Sequence, residues 1–460
     1  AQGTPIPGSA KKWDVSDDGK TYTFHLRNDL QWSDGTPITA ADFEWSFRRA
    51  LAPKTGNGRA YMLYPIRNAE AVNKGKTTDQ TTLGVRAVDR QTLVVELERP
   101  YPLLPHLLTG VDSAPSPRHV IESVGLQWTR PEHFVSNGPY RLQSHRPGQD
   151  MTLVRNETYW DAENVALKKV VLRFTTQSKI AYDWYRLNEV DLVADLVPME
   201  VLQKKGAGAV QEALQIHSYD GLFYLLVNTA DPALNDPILR KAIDSSVDRA
   251  RLTRQVLASG EKPASSFVPP GMTAARSPRR VRYNPDEART QLEKAGYGTT
   301  KKLPTLTLAF NTNPRNRSVA EFIQRSLKKN LGITLVLENM EWKTYLDHIS
   351  SKQYQLGQLV IGGGIDPMEY FSLLETGASE NRSHWSDPTF DRLAKQGRAA
   401  RTIDARDEII SKALAHVDEQ MPIIPMWVLT RKALVRPGLK GYEQSAENLH
   451  PLRWLHWETP

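Results

Sequence analysis

The sequence predicts a mixed α/β protein that is divided into about three domains. The chain has 460 residues, and a typical domain holds about 150. Its first hundred residues favour short strands, whereas residues 305–337 have the pattern of a strand–helix–strand unit. Hydrophobic residues make up 40% and charged residues 24% of the chain. This balance is typical of globular proteins and excludes a disordered or fibrous chain.

The first predicted elements are a strand and a helix. Residues Thr21 to Leu26 alternate between apolar and polar side chains, which indicates a half-buried strand. Thr39 is a good cap for a helix that begins at Ala40 and ends at Leu51, before Pro53.

A hairpin and a proline-rich stretch follow. Residues 85–88 and 92–97 flank the turn at Asp89-Arg90 and predict two antiparallel strands. The stretch from Pro100 to Pro117 cannot continue a central strand or helix, because proline lacks the N–H that both require. We place the first domain boundary there.

From about residue 118 the pattern becomes mixed α/β. The strongest predicted strand is the apolar run from Leu222 to Asn228. Asn235-Asp236-Pro237 then begins a helix, since it offers a side-chain cap followed by proline in the first turn. Further strands are predicted at residues 151–154, 170–175 and 190–193, and further helices at 179–187 and 251–258.

The second half of the chain contains the strand–helix–strand unit. Thr305 to Phe310 is the first strand, a helix ends at Gly332, and Ile333 to Leu337 is the return strand. Such a unit implies parallel pairing with a right-handed crossover. A helix at residues 405–419 then leads to a strand at residues 423–429.

Composition and charge exclude several classes of function. Lys and Arg number 59 against 52 Asp and Glu, a net charge of +7, but the excess is spread thinly and indicates no nucleic-acid surface. The absence of Cys excludes disulfides, thiolate metal sites and Cys nucleophiles. The most apolar run, Leu222 to Val227, is far shorter than a membrane-spanning helix.

The sequence contains none of the common enzyme motifs in complete form. Gly75-Lys76-Thr77 resembles the end of a phosphate-binding loop, but Glu70 stands where that motif requires glycine. No G-x-G-x-x-G or G-x-S-x-G is present, and the 11 His residues show no metal-ligand spacing. The sequence therefore predicts no catalytic residues, no metal site and no cofactor.

Sequence blocks along the whole chain carry a family resemblance: Pro5 to Trp13, Thr23 to Ala41, Ser136 to Tyr140, Asn156 to Asp161, Asn235 to Arg249, Glu341 to Asp347 and Met421 to Pro425. In their order and spacing, the chain resembles the oligopeptide/dipeptide-binding family of extracellular solute-binding proteins. These are the recognition subunits of ABC importers. The similarity is strongest to the periplasmic oligopeptide- and murein-peptide-binding members.

The resemblance implies a two-lobed α/β periplasmic binding protein fold, type II and of the large peptide-binding class, with an extra β-rich subdomain. Residues 1–117 would form the extra subdomain, 118–219 with 431–460 the first lobe, and 220–430 the second lobe. The chain would cross between lobes near residues 221–228 and 429–435, and a hinge would close over the ligand.

The family chain normally begins earlier, so the resemblance implies a first lobe without its N-terminal part. A protein that truly began at Ala1 is expected to be unstable or open, because a sheet edge and apolar surface would be uncovered.

The implied function is that of a non-enzymatic, periplasmic monomer. It would deliver a peptide or peptide-like ligand to the permease subunits of an inner-membrane ABC importer, without nucleic acid or cofactor. Three alternatives stay open: the same fold binding a sugar, haem or metal chelate, a periplasmic chaperone or sensor, and a hydrolase acting in the cleft.

The resemblance also implies a ligand-anchoring segment at residues 358–367. Relatives use an Asp to pair with the peptide α-amino group and an Arg to hold the carboxylate end. Gly364 and Gln358 stand at those positions here, Ile361 replaces a Trp, and Asp366 is the residue that could substitute for the lost Asp. We therefore expect no charged pair with a free α-amino group near Gly364, and a ligand that is blocked, neutral or differently oriented at its ends.

The remaining implied cleft positions are Gly362, Gly363, Trp342, Trp427, Tyr224, Ala194 and Asp195. The residues themselves leave other interpretations open, because a glycine run is also a flexible loop and aromatic residues commonly pack in a core. The family's cleft disulfide would map to Gly221 and Gly362, and is absent.

Overall fold

The computed structural model describes residues 5–203, 209–270, 272, 283–351, 353–362, 366–378, 380–442 and 451–458. Within these residues, no helix is both long enough and apolar enough to cross a membrane.

The first part of the chain forms an antiparallel sheet with helices packed against it. The predicted strand at residues 21–26 and the predicted helix at residues 40–51 are both confirmed. The predicted hairpin is also confirmed, because β3 (Val85–Ala87) pairs antiparallel with β4 (Thr92–Glu96). In the described part, the sheet order is β1-β2-β4-β3. The elements are β1 Ala10–Val15, β2 Thr21–Leu26, α1 Ala40–Leu51, α2 Ala69–Asn73, β3 Val85–Ala87, β4 Thr92–Glu96, α3 Leu104–Leu107 and α4 Arg118–Val124.

A second antiparallel sheet, β5-β6-β7, follows and leads to short helices around β8. Its predicted strands lie within one or two residues of the observed bounds. The elements are β5 Tyr140–Arg146, β6 Asp150–Arg155, β7 Lys169–Arg173, α5 Ser178–Arg186, β8 Leu192–Ala194, α6 Met199–Gln203 and α7 Ala209–Ala213.

Two long antiparallel strands, β9 at Leu214–Val227 and β14 at Ile423–Val435, link this region to the second half of the chain. Both are longer than predicted, because the apolar runs that marked them continue into stretches where polar, partly exposed residues interrupt the pattern, at residues 214–219 of β9 and 430–432 of β14. Their pairing is irregular in the middle. Val428 pairs with Leu222 but Thr430 pairs with Ser218, so three residues of β9 lie opposite one residue of β14. A bulge of this kind bends the ladder at this point.

The strand–helix–strand unit is confirmed. Strands β11 (Thr305–Asn311) and β12 (Thr334–Met340) pair in parallel, and α11 (Pro314–Leu331) connects them. The helix ends at Gly332 with a φ of 73°, a left-handed conformation that glycine adopts without strain.

Two further strands, β10 (Lys262–Pro263) and β13 (Leu356–Gly362), complete the central sheet. In the described residues its order is β10-β14-β9-β13-β11-β12, with β8 added on β14. One face packs on α8, α10 and α11, and the other on α12 to α15. The remaining elements of the chain are α8 Pro237–Ser246, α9 Arg249–Arg251, β10 Lys262–Pro263, α10 Pro285–Lys294, α12 Trp342–Ser350, β13 Leu356–Gly362, α13 Pro367–Phe371, α14 Pro388–Ala399, α15 Ile403–Gln420, β15 Leu439–Lys440 and β16 His456–Trp457.

The helix predicted at residues 251–258 has a different form. A short α-helix, α9, passes into a π-helix at Leu252–Leu257. The Thr253 hydroxyl donates to the Arg249 carbonyl (3.0 Å) and so competes with the backbone for that acceptor.

Separate hydrophobic cores lie in different parts of the chain. One is built from residues between Tyr22 and Leu107, and two larger ones from residues between Leu222 and Val428. The exact division into lobes stays a prediction.

Candidate functional site

A cavity of about 1020 Å³ lies between the first part of the chain and the second half. Tyr61, Tyr64, Arg99 and Tyr101 line one side of it. The opposite wall is formed by β9, β13, α13 and the segment that contains Arg382. Its size matches the upper end of the range for small-molecule sites, about 300–1,000 Å³.

Two of the predicted site residues, Tyr224 and Ile361, lie on this wall. Tyr224 is on β9 directly opposite Leu359 of β13, and side chains two residues apart on a strand share a face. Tyr224 is buried, and burial raises the pKa of its hydroxyl above the ordinary value. It therefore remains neutral and supplies an uncharged aromatic surface.

Gln358 and Trp427 do not reach the cavity. Gln358 is buried and its Nε2 donates to the Asn316 carbonyl (3.2 Å), at the beginning of α11. Trp427 is fully buried and stacks on Phe223 with ring centroids 3.8 Å apart. Both belong to the face of the sheet that packs on α11. As ligand contacts they stay predictions, and the structure gives them a packing role.

Asp366 lies on the cavity wall, but its carboxylate is already engaged. It caps α13 by accepting the Met368 N–H (2.8 Å). Nη2 of Arg406 donates to both of its oxygens (2.6 and 2.8 Å), and the Tyr101 hydroxyl donates to one of them (3.1 Å). Both members of this ion pair are almost fully buried, with side-chain exposures of 4% and 8%.

The same contacts connect distant parts of the chain. Tyr101 belongs to the first part, whereas Asp366 and Arg406 belong to the second half. The Arg406 guanidinium also lies 5.8 Å from the centre of the Tyr101 ring. The cavity is therefore bounded at this point by a hydrogen-bonded bridge between its two sides.

Gly362 ends β13 and pairs with Gly221 of β9. A Cβ atom added at Gly362 would lie 3.2 Å from the Gly221 Cα and 3.4 Å from the Tyr219 ring. The backbone can therefore approach closely here only without side chains. The predicted residues Gly363 and Gly364 lie outside the described residues.

Ala194 and Asp195 lie on the other side of the bulge. Ala194 ends β8 and pairs with Ala433 of β14. Asp195 has a φ of 63°, and its carboxylate accepts from Arg431 Nη1 (3.2 Å). The Arg431 guanidinium lies 4.6 Å from the Tyr219 ring centre, so Asp195 is linked through Arg431 and Tyr219 to the Gly362 region.

Trp342 lies at the beginning of α12 and is 52% exposed, but it is not on the cavity wall. In contrast, Tyr61, Arg99 and Tyr101 are cavity residues that the sequence did not predict. The Tyr101–Asp366 contact joins residues 265 positions apart, and no local pattern signals such a pair. Within the described residues, no group of three or more His, Asp or Glu could hold a metal ion.

Residues 4–382 of the chain match the family described as bacterial extracellular solute-binding proteins, family 5 Middle. The chain is 34% identical to the periplasmic murein peptide-binding protein MppA of Escherichia coli, over 96% of this chain and 83% of that protein. It is 32% identical to the probable deoxycholate-binding periplasmic protein YgiS of Escherichia coli, over 96% of this chain and 83% of the relative.

Among solved structures, the unliganded open form of MppA superimposes with a TM-score of 0.89 and 31% identity, over 99% of this chain and 89% of that chain. A structure of the Escherichia coli murein tripeptide binding protein MppA superimposes with a TM-score of 0.72 and 32% identity, over 99% of this chain and 90% of that chain. Haemophilus influenzae OppA in complex with the peptide RPPGFSPFR superimposes with a TM-score of 0.70 and 28% identity, over 98% of this chain and 90% of that chain.

The chain therefore superimposes more closely on the unliganded open form of MppA than on the second structure. The predicted two-lobed periplasmic binding fold and the predicted extracytoplasmic location are confirmed. The chain belongs to the family-5 bacterial extracellular solute-binding proteins.

Proposed function

We propose that the protein binds a peptide or peptide-like ligand in the cavity beside β13 and delivers it to the permease subunits of an ABC importer. It acts as a monomer in the periplasm, without catalysis and without a cofactor. In this proposal the lobes divide as residues 118–219 with 431–460 and residues 220–430, and residues 1–117 form the extra subdomain.

One observation carries the proposal: β13 has an open edge at the cavity. On one side β13 pairs with β9 along its whole length, from Leu356 to Gly362. On the other side β11 pairs only with Leu356 and Gly357, and no other described strand takes over. Leu359, Val360 and Ile361 pair with β9 but have no described strand on their other side, and they line the cavity.

An open strand edge recognises main-chain groups. In an antiparallel ladder, every second residue directs its N–H and C=O away from the paired neighbour. An extended peptide can pair with these groups as an added strand, and its side chains then alternate between the two walls of the cavity. Such binding depends little on the peptide sequence, because the main chain supplies the hydrogen bonds.

The names of the relatives support the same ligand class. MppA is a murein peptide-binding protein, and OppA was solved with a bound nonapeptide. A second candidate is a non-peptide solute, favoured by the similarity to the probable deoxycholate-binding YgiS. The open β13 edge favours the peptide, since a steroid acid presents no repeating N–H and C=O groups.

We predict that N-acetylation of a peptide does not weaken its binding. The carboxylate of Asp366 already accepts from Arg406 and Tyr101, so it has no capacity to pair with an incoming ammonium group. Isothermal titration calorimetry with Ala-Ala-Ala and N-acetyl-Ala-Ala-Ala measures this directly. We expect dissociation constants within about threefold of each other. A loss of about tenfold or more on acetylation would show that a charged anchor for the amino group exists.

A further inference from the structure

One arginine on the cavity wall has no counter-ion. Arg99 follows β4 and lies among the residues that line the cavity. Within the described residues, it makes no ion pair and no hydrogen bond through its side chain. Its side chain is open to the water of the cavity, which leaves its guanidinium free to meet a ligand.

The charges around Arg99 leave an excess of one positive charge. Its charged neighbours are Arg398, Arg406 and Asp366. Arg398 binds both oxygens of Glu375 through its two terminal nitrogens, and Arg406 binds Asp366. The two carboxylates therefore neutralise two of the three guanidinium groups, and Arg99 is the guanidinium that has no carboxylate partner in the described part of the chain.

In the absence of a ligand, the surrounding protein disfavours the charged form of Arg99. Partial removal of water by the surrounding protein, followed by the positive charge of Arg398, lowers the pKa of Arg99. An anion that arrived at Arg99 would offset both effects, because it would replace lost hydration and neutralise the excess charge.

The other carboxylates of the cavity wall have partners of their own. Glu70 pairs with Lys74 (2.5 Å), outside the cavity. Glu98 accepts the backbone N–H of Asn68 (2.7 Å), on its own subdomain. Glu380 lies 3.7 Å from Arg382. Each of these three carboxylates therefore has a partner other than Arg99.

The fifth carboxylate, Glu369, is not among the charged groups that act on Arg99. The pKa of Arg59 is raised, mainly by its hydrogen bond to Asp112 (2.9 Å) and further by Glu369. The charge of Glu369 thus acts on Arg59, and also on Tyr101 and Tyr370.

We propose that Arg99 binds a carboxylate of the ligand, so that the solute is an acidic peptide or peptide-like compound. This inference rests on the proposed function. A guanidinium presents a planar fork of N–H donors that matches a carboxylate with two parallel hydrogen bonds. The carboxylate belongs either to an acidic side chain or to the C-terminus of the ligand, and both present the same group.

The test is calorimetry with three peptides that differ only in their carboxylates. Ala-Gln-Ala-amide has none, Ala-Gln-Ala has a C-terminal one, and Ala-Glu-Ala-amide has one on its side chain. Each is titrated into the wild-type protein, into Arg99→Met and into Arg86→Met. Arg86 is an exposed arginine of the same subdomain that does not line the cavity, so its replacement removes the same charge elsewhere.

We expect at least one carboxylate-bearing peptide to bind the wild type about tenfold or more tightly than Ala-Gln-Ala-amide, as for a charge-assisted hydrogen-bonded pair. Arg99→Met should abolish this preference and Arg86→Met should keep it. Which of the two acidic peptides shows the preference identifies the source of the carboxylate. Equal binding of all three peptides to the wild type, or a preference that persists in Arg99→Met, overturns the inference but leaves peptide binding intact. Failure of all three to bind refutes the proposed function and the inference with it.

Discussion

Replacing Arg249 by methionine is expected to lower the free energy of unfolding by about 3–5 kcal/mol. Arg249 is 2% exposed and is the first residue of α9, between α8 and the π-helix. Its guanidinium donates to the Asp244 carboxylate (2.5 Å), to the Asp244 carbonyl (2.8 Å) and to the Pro425 carbonyl of β14 (2.7 Å). Burial lowers the pKa of Arg249 to about 10, so the group is still charged at neutral pH.

Methionine has a similar length but no donors, so the Asp244 carboxylate loses its buried counter-charge and the Pro425 carbonyl loses a hydrogen bond. The cost of leaving buried charge uncompensated accounts for the large expected effect. Urea unfolding followed by circular dichroism measures it. The matched control is Arg251→Met, two residues away and exposed, for which a change below about 1 kcal/mol is expected. A similarly small change for Arg249→Met would mean that the buried pair contributes little.

The second large effect is expected for Asp366→Asn, again a loss of about 3–5 kcal/mol in the free energy of unfolding. Asparagine still caps α13, because its side-chain oxygen can accept the Met368 N–H. It carries no charge, however, and leaves the buried Arg406 without its counter-ion. The substitution therefore tests the ion pair while the helix cap is kept.

Peptide affinity separates this account from the alternative in which Asp366 anchors the ligand. We expect the folded Asp366→Asn protein to bind N-acetyl-Ala-Ala-Ala and Ala-Ala-Ala with affinities within about threefold of the wild type. A collapse in binding of the free peptide alone would assign Asp366 to the ligand. The double variant Asp366→Leu/Arg406→Met is a further control, because removing both charges should cost less than the sum of the single changes.

The fold was predictable where local pattern and tertiary structure agree. Helix α1, with its cap at Thr39, and the parallel pair β11–β12 follow from capping residues and apolar spacing. The full lengths of β9 and β14 were not predictable in the same way, because residues 214–218 of β9 and 430–434 of β14 continue the strands by pairing with each other where the apolar pattern is interrupted.

The site was predictable only in part, for a physical reason. Family resemblance directs attention to residues 358–366, but alternation along β13 turns Gln358 toward α11 while Leu359 and Ile361 face the cavity. Arg99 and Tyr101 reach the cavity only because two distant parts of the chain fold against each other. Nothing in their own neighbourhood marks them.

The central claim is that the open edge of β13 and the cavity beside it bind a peptide. Native mass spectrometry of the protein, incubated with equal concentrations of N-acetyl-Ala-Glu-Ala and deoxycholate, tests this claim most directly. The account predicts a 1:1 complex that carries the mass of the peptide and is not displaced by excess deoxycholate. A complex with deoxycholate alone, and no peptide adduct at any concentration tested, would contradict it.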